Sequence, residues 1–243
     1  MSKNQATHRM KYTVRYSRRA RRVGLRVSLR NGLEIVLPWG FDSKLVPEIV
    51  ERKRAWIERS VGNLEKTVRL LRPESLRLDA LDEDWEIQYT ATARAAVVAR
   101  ETEGGVLSAR GAIENPYEVA MGLRRWLHRK AIAHLIPWLE GVSERQSIPF
   151  SRATVRAQKT RWASCSERRT ISLNRSLLFL PTPLVDQVFI HELCHITHIN
   201  HSTEFWSLVG QLEPNFKELE ARLRKADDYV PTWASPSVDV GKN

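Results

Sequence analysis

Four of the seven histidines fall within residues 191–201, and two of them frame the pentad His191-Glu192-Leu193-Cys194-His195. On an α-helix, residues four apart stand one turn above each other and about 40° around the axis, so both imidazoles can reach one ion. Glu192 lies on the adjacent face, where its carboxylate can meet a water at that ion. The pentad therefore demands a helix, and a fold that leaves one face of that helix open to substrate. For isolated histidines, simple packing in the core would be the better reading. The density of this cluster favours metal binding instead.

A catalytic zinc takes three protein ligands and keeps one position open. Three residues compete for the third place. His198 shares the face if the helix continues, but then stands about 10 Å along the axis from His191 at 1.5 Å per residue. His201 follows Asn200, where a helix end and a turn can bring it back to the metal. Glu204 is the carboxylate alternative. His201 fits best, giving one Zn2+ held by His191, His195 and His201, with Glu192 as the catalytic base. Cys194 reads as a small apolar packing residue. A neutral partner should orient each imidazole, and the sequence does not identify it. Lys159, Arg161 and Asn174 are candidates for transition-state or substrate contacts.

The surrounding pattern is that of an α+β protein. Alternating runs at 13–16, 23–28 and 33–37 read as strands, the last two joined at Asn31-Gly32 as a hairpin. Residues 43–64 read as a helix capped by Ser43, with Leu45, Ile49, Trp56 and Ile57 as its apolar stripe. Strands recur at 85–110, with a turn at Gly104-Gly105. Asn115-Pro116 opens a long helix that Pro137 should kink or split. One face of it carries Arg124, Arg125, Arg129 and Lys130. Short strands at 154–156 and 170–173 flank a polar loop, Thr160 to Arg169. A helix capped by Thr182, with Pro183 at its first position, then runs to about Ile199. Two further helices start near Ser202 and Pro214. If Thr170–Leu173 is an exposed sheet edge, an extended peptide could add to it as a strand.

Lys and Arg number 39 against 28 acids, for a net charge of +11, and residues 1–30 contain ten Lys/Arg and no Asp or Glu. That asymmetry suits a polyanion such as DNA as well as it suits a plain solvated face. Two cysteines give no disulfide framework. No signal peptide and no apolar run long enough to span a membrane are visible, so the expected setting is cytoplasmic and no membrane partner is expected. Oligomeric state is not readable.

The stretch Gln158-Lys159-Thr160-Arg161-Trp162-Ala163-Ser164-Cys165-Ser166, with Ile171-Ser172-Leu173-Asn174, the 191–195 pentad, Asn200-His201-Ser202 and Phe205-Trp206, closely resembles the YgjP-like metal-dependent hydrolases, relatives of SprT-like and Wss-type zincin peptidases. The likeness runs from about Arg15 to Tyr229. Ala163 stands where glycine is usual in that loop. The resemblance implies a minimal zincin-like metallopeptidase domain with an HExxH active-site helix after an N-terminal β-rich region. It also implies zinc at His191, His195 and His201, with Glu192 catalytic. The expected layout is a basic β-rich region with one helix over 1–112, a catalytic domain over 113–230 and a loose tail over 231–243.

The leading expectation is a zinc metallopeptidase acting on protein or peptide substrates, on or near DNA. One alternative is a nucleic-acid-binding module with a structural zinc. The other is a metal-dependent hydrolase of a non-peptide amide or ester. Metzincins share the ligand spacing but need a glycine where His198 stands and a downstream methionine turn, and no Met follows Met121.

Overall fold

The computed structural model describes residues 11–28 and 32–235. The chain forms two compact units, the first ending at Arg69 and the second beginning at Leu70.

In the first unit, β1 (Tyr12–Ser17), β2 (Gly24–Ser28) and β3 (Gly32–Pro38) form a sheet of order β1-β3-β2. β2 and β3 pair antiparallel, with Ser28 opposite Gly32, so Gly32 is the first residue of β3, whereas a two-residue turn at Asn31-Gly32 would set residue 30 opposite Leu33. Asn31 itself lies outside the described residues. β1 joins the other side of β3 in parallel, a pairing that no local signal announces. Alternate β3 residues Leu33, Ile35 and Leu37 are buried with Val27, Val46, Val50 and Ile57. The single helix expected over 43–64 is three pieces. Asp42, not Ser43, caps a 3-10 turn, Ser43–Leu45, by accepting from the Lys44 N–H. Then come α1 (Val46–Arg52) and, after Lys53, α2 (Arg54–Leu71). Pro47 in the first turn of α1 starts a new helix.

The second unit opens with β4 (Ser75–Leu78), β5 (Glu83–Ala91), β6 (Val98–Thr102) and β7 (Val106–Gly111), in the order β4-β5-β7-β6. Gly104 and Gly105 turn β6 into β7, both at positive φ, which a side chain would resist. Next is α3 (Pro116–Gln146), whose Asn115 cap accepts from the N–H groups of Tyr117 and Glu118. It continues through Pro137 rather than splitting there. It crosses the sheet at Gly122, where a Cβ would lie 2.6 Å from the Val97 carbonyl. Half of the expected basic face of α3 is interior: Arg124 and Lys130 are buried, whereas Arg125 and Arg129 stay exposed. Lys130 is buried between Glu83 (3.0 Å) and Glu101 (3.2 Å), and its ammonium lies over the Trp85 ring. Arg124 is buried and donates to the carbonyls of Trp233 and Ser235. The segment expected as a loose tail is thus packed as far as it is described: Trp233 and Ala234 are buried, and Arg175 also donates to the Ala234 carbonyl.

A second small sheet, β8 (Arg152–Arg156), β9 (Ala163–Cys165) and β10 (Thr170–Asn174), has the order β8-β10-β9. Thr170–Leu173 is therefore its central strand and not an open edge. β8 pairs with it in parallel, and the loop after Thr160 folds back as β9 on its other side. After a 3-10 turn, Arg175–Phe179, come α4 (Thr182–Thr197), α5 (Thr203–Leu212) and α6 (Phe216–Leu223). Thr182 lies inside α4, and Pro181 occupies the cap position without a side-chain bond. Buried Leu184, Val185, Val188, Phe189, Leu193 and Cys194 seat α4 in the core. α4 lies against β9, α5 and α6. No described helix is long and apolar enough to cross a membrane.

Candidate active site

His191, Glu192 and His195 all lie on α4. The helix ends at Thr197, because His198 takes an extended conformation (φ −127°, ψ 105°). That break turns the chain back and carries His201 to the first two histidines. One ring nitrogen from each of His191, His195 and His201 lies within 4.8 Å of the others. The Nε2 atoms of His191 and His201 are 3.1 Å apart. Nitrogens bound at 2.0–2.1 Å to one tetrahedral ion would stand roughly 3.3–3.4 Å apart, so the spacing suits a shared ion. None of the three is a core histidine: His191 and His195 are half-buried and His201 is exposed.

Of the outward ring nitrogens, that of His195 is hydrogen-bonded, whereas His191 Nδ1 is buried beside a carboxylate without a hydrogen bond of good geometry among the described residues. His195 Nδ1 lies 3.1 Å from the His198 carbonyl, so His198 contributes its backbone and not its imidazole. Glu220 Oε1, from α6, lies 3.3 Å from His191 Nδ1 and accepts from Gln187 Nε2 at 3.0 Å. The partner of His191 is thus a carboxylate, not the neutral group expected. Its proximity to His191 holds the Glu220 carboxyl below the usual range. Phe205 stacks on the His195 ring at 4.5 Å, and Trp206 stacks on the His201 ring at 5.6 Å. Burial, then the His191 imidazole, holds His201 below the ordinary histidine range, and burial does the same for His195. Both favour the neutral ring that a metal requires.

Glu192 is buried, and its Oε2 has no hydrogen-bond partner among the described residues. Burial pushes its carboxyl up to about 7, opposed by the charge of His191, the Cys165 N–H and the charge of Arg161. A buried, unsatisfied carboxylate oxygen is costly unless something polar completes it. Here it lines, with His191, a pocket of about 240 Å³ that also includes Trp162, Ala163, Val188, Glu220, Leu223 and Arg224. Glu204 is exposed in the first turn of α5 and bonds to Ser202, which caps that helix, so it stands outside the ligand cluster. Cys194 is fully buried, its thiol pushed up to about 12 by burial.

The loop candidates separate. Asn174 is buried and donates Nδ2 to the carbonyls of Gln158 (3.0 Å) and Arg161 (2.9 Å). Its Oδ1 accepts from the Ser176 N–H. Both amide hydrogens are engaged, so it anchors the loop and has none left for a substrate oxyanion. Lys159 and Arg161 are exposed on that loop and face a second cavity. Sequence reasoning missed Glu220 and the stacking role of Phe205 and Trp206. Gln187 had a usable signal, because residues 187, 191 and 195 share one helix face. Glu220 had none, lying on a different helix with no motif around it.

The model of the YgjP-like metallopeptidase domain matches residues 21–226. The chain belongs to this family. A YgjP-like metallopeptidase domain implies a metal ion and a protein or peptide substrate, and the three histidines are a site that could hold one ion. Among solved structures, the chain is similar to the metallopeptidase zymogen abylysin of Pyrococcus abyssi, at 27% identity and TM-score 0.35, over 37% of this chain and 92% of abylysin. It is likewise similar to the metallopeptidase zymogen jannalysin of Methanocaldococcus jannaschii, at 21% identity and TM-score 0.34, over 37% of this chain and 94% of jannalysin. No curated protein matches the sequence.

Proposed function

We propose that this YgjP-like chain is a zinc metallopeptidase. One Zn2+ sits on His191, His195 and His201, Glu192 is the general base, and residues 113–230 form the catalytic domain. The observation that carries the reading is the convergence of three imidazole nitrogens within 4.8 Å beside a buried carboxylate oxygen that lacks a partner. When bound, the ion would polarise the scissile carbonyl and acidify the attacking water. Glu192 takes the proton from that water and delivers it to the leaving amine. Glu220 and the His198 carbonyl fix the two α4 imidazoles so that Nε2 faces the ion. β9 is the sheet edge beside α4, and an extended substrate adding there would gain main-chain hydrogen bonds.

The test combines metal analysis with hydrolysis of casein and of a DNA-bound protein. Wild type should hold one zinc and cut. Glu192→Gln should keep the zinc and lose the cutting. A zinc-loaded wild type as inert as the variant across a broad panel would remove the reading.

Proximity to DNA belongs to the same proposal. Arg18, Arg19, Arg21 and Arg22 are exposed, and no acidic side chain pairs with them among the described residues. DNA binding that falls steeply between about 50 and 200 mM salt would support it, and no binding at low salt would end it.

A further inference from the structure

Two cavities of the second unit share a wall. The smaller, about 240 Å³, holds His191, Glu192 and Glu220 at one side and apolar groups of Trp162, Ala163, Val188 and Leu223 at the other. The larger, about 480 Å³, includes Lys159, Arg161 and Arg224. Trp162, Leu223 and Arg224 line both. A ligand reaching from the first into the second passes from apolar to cationic surroundings. Among the described residues, the only acidic one lining the larger cavity is Asp227, so there the cations exceed the acids by two (three against one).

Arg161 and Arg224 act on Glu192 and Glu220 only through their charge, at a distance. Among the described residues, none of Lys159, Arg161 and Arg224 forms an ion pair or a side-chain hydrogen bond with the protein. The contrast with the interior is direct: Arg124, Arg175 and Lys130 are all held by carbonyls or carboxylates. The loop carrying Lys159 and Arg161 is also fixed from beneath, since Asn174 holds the carbonyls of Gln158 and Arg161. Arg224 closes the end of α6, one turn beyond Glu220, the carboxylate beside His191. A set of unpaired cations on anchored backbone, opening onto a reactive carboxylate, is arranged for an anion brought by the substrate.

We propose that Lys159, Arg161 and Arg224 form a subsite for a carboxylate of the peptide substrate, beside an apolar subsite at His191 and Glu192. The peptides cut are then those with an acidic group close to an apolar residue at the scissile bond. This rests on the peptidase reading above. The carboxylate can come from an Asp or Glu side chain or from the peptide's own C-terminus, and the chemistry of recognition is the same.

The test uses the full zinc-loaded chain and peptides of one parent sequence, with one position set to Glu, Gln or Lys and the C-terminus free or amidated. Binding is measured by calorimetry on Glu192→Gln, and cleavage on the wild type. The Glu peptide should bind on the order of tenfold tighter than the Gln peptide, and the difference should shrink as salt rises. If amidation rather than the Glu-to-Gln change removes the advantage, the carboxylate is the terminal one. Arg161→Glu and Arg224→Glu should reverse the order in favour of Lys. Both residues are exposed and, among the described residues, form no side-chain ion pair or hydrogen bond, so these variants should fold, which circular dichroism checks. Equal binding of all the peptides, or an acidic preference that survives both reversals, overturns the subsite. Tight, charge-dependent binding with no cleavage by wild type would instead count against the peptidase reading alone.

Discussion

Glu220 and Glu192 are both carboxylates at the same pocket, and their surroundings give them opposite tasks. Glu220 accepts from Gln187 and lies 3.3 Å from His191 Nδ1, so its negative charge is stabilised and it faces an imidazole. Glu192 is more deeply buried, with one oxygen unpartnered, so its charge is held at a cost and it can accept a proton. Glu192→Gln keeps the shape and removes the base, and kcat/KM should fall by about 10²- to 10⁴-fold with zinc content unchanged. Glu220→Gln removes the charge that orients His191. Zinc affinity should weaken by about 10- to 100-fold, read by competition with a chromogenic chelator. If Glu220→Gln binds zinc as tightly as wild type, the contact seen at 3.3 Å has no part in holding the metal.

Among the elements, Asn174 shows how the small sheet supports the site. It ends β10 and ties down the Gln158 and Arg161 carbonyls. Asn174→Ala leaves those carbonyls, and the Ser176 N–H, without their partner. The cost should be about 1–3 kcal/mol in urea unfolding, with lower activity because the Arg161 loop loosens. Elements with a local signal were legible in the sequence. Asn115-Pro116 did start α3, Gly104-Gly105 did turn β6 into β7, and the pentad did lie on a helix. Three things were not. The parallel pairing of β1 with β3 joins segments with no turn between them. The β9 strand is three residues inside a polar loop, too short for an alternation to register. Arg124 and Lys130 looked like solvent residues because their carbonyl and carboxylate partners come from distant segments. Around the candidate metal site the same division holds: the histidine trio was legible from spacing, whereas Glu220 reaches His191 only through the packing of α6 on α4.

For the whole molecule, the question is whether the fold needs its metal. The buried face of α4 comprises Leu184, Val185, Val188, Phe189, Leu193 and Cys194, set against β9, α5 and α6. Burying one such large aliphatic or aromatic side chain contributes about 1.5–3 kcal/mol, so the helix is held by its core side independently of the histidines. His191 and His195 share a face with Leu184 and Val188 but are only half-buried there. A structural zinc site behaves differently, because its domain is unfolded without the ion. Chelation should therefore abolish hydrolysis while leaving the far-ultraviolet dichroism and a cooperative melt intact. Zinc returned at about 100 times its Kd should stabilise the second unit by about 2.7 kcal/mol. For a unit of this size, that raises Tm by roughly 5–10 °C. The increment should vanish in His195→Ala, which cannot complete the trio. A chain that melts on chelation and refolds only with zinc would make the ion a structural staple, and Glu192 would then have no reason to stand buried and unpaired beside it.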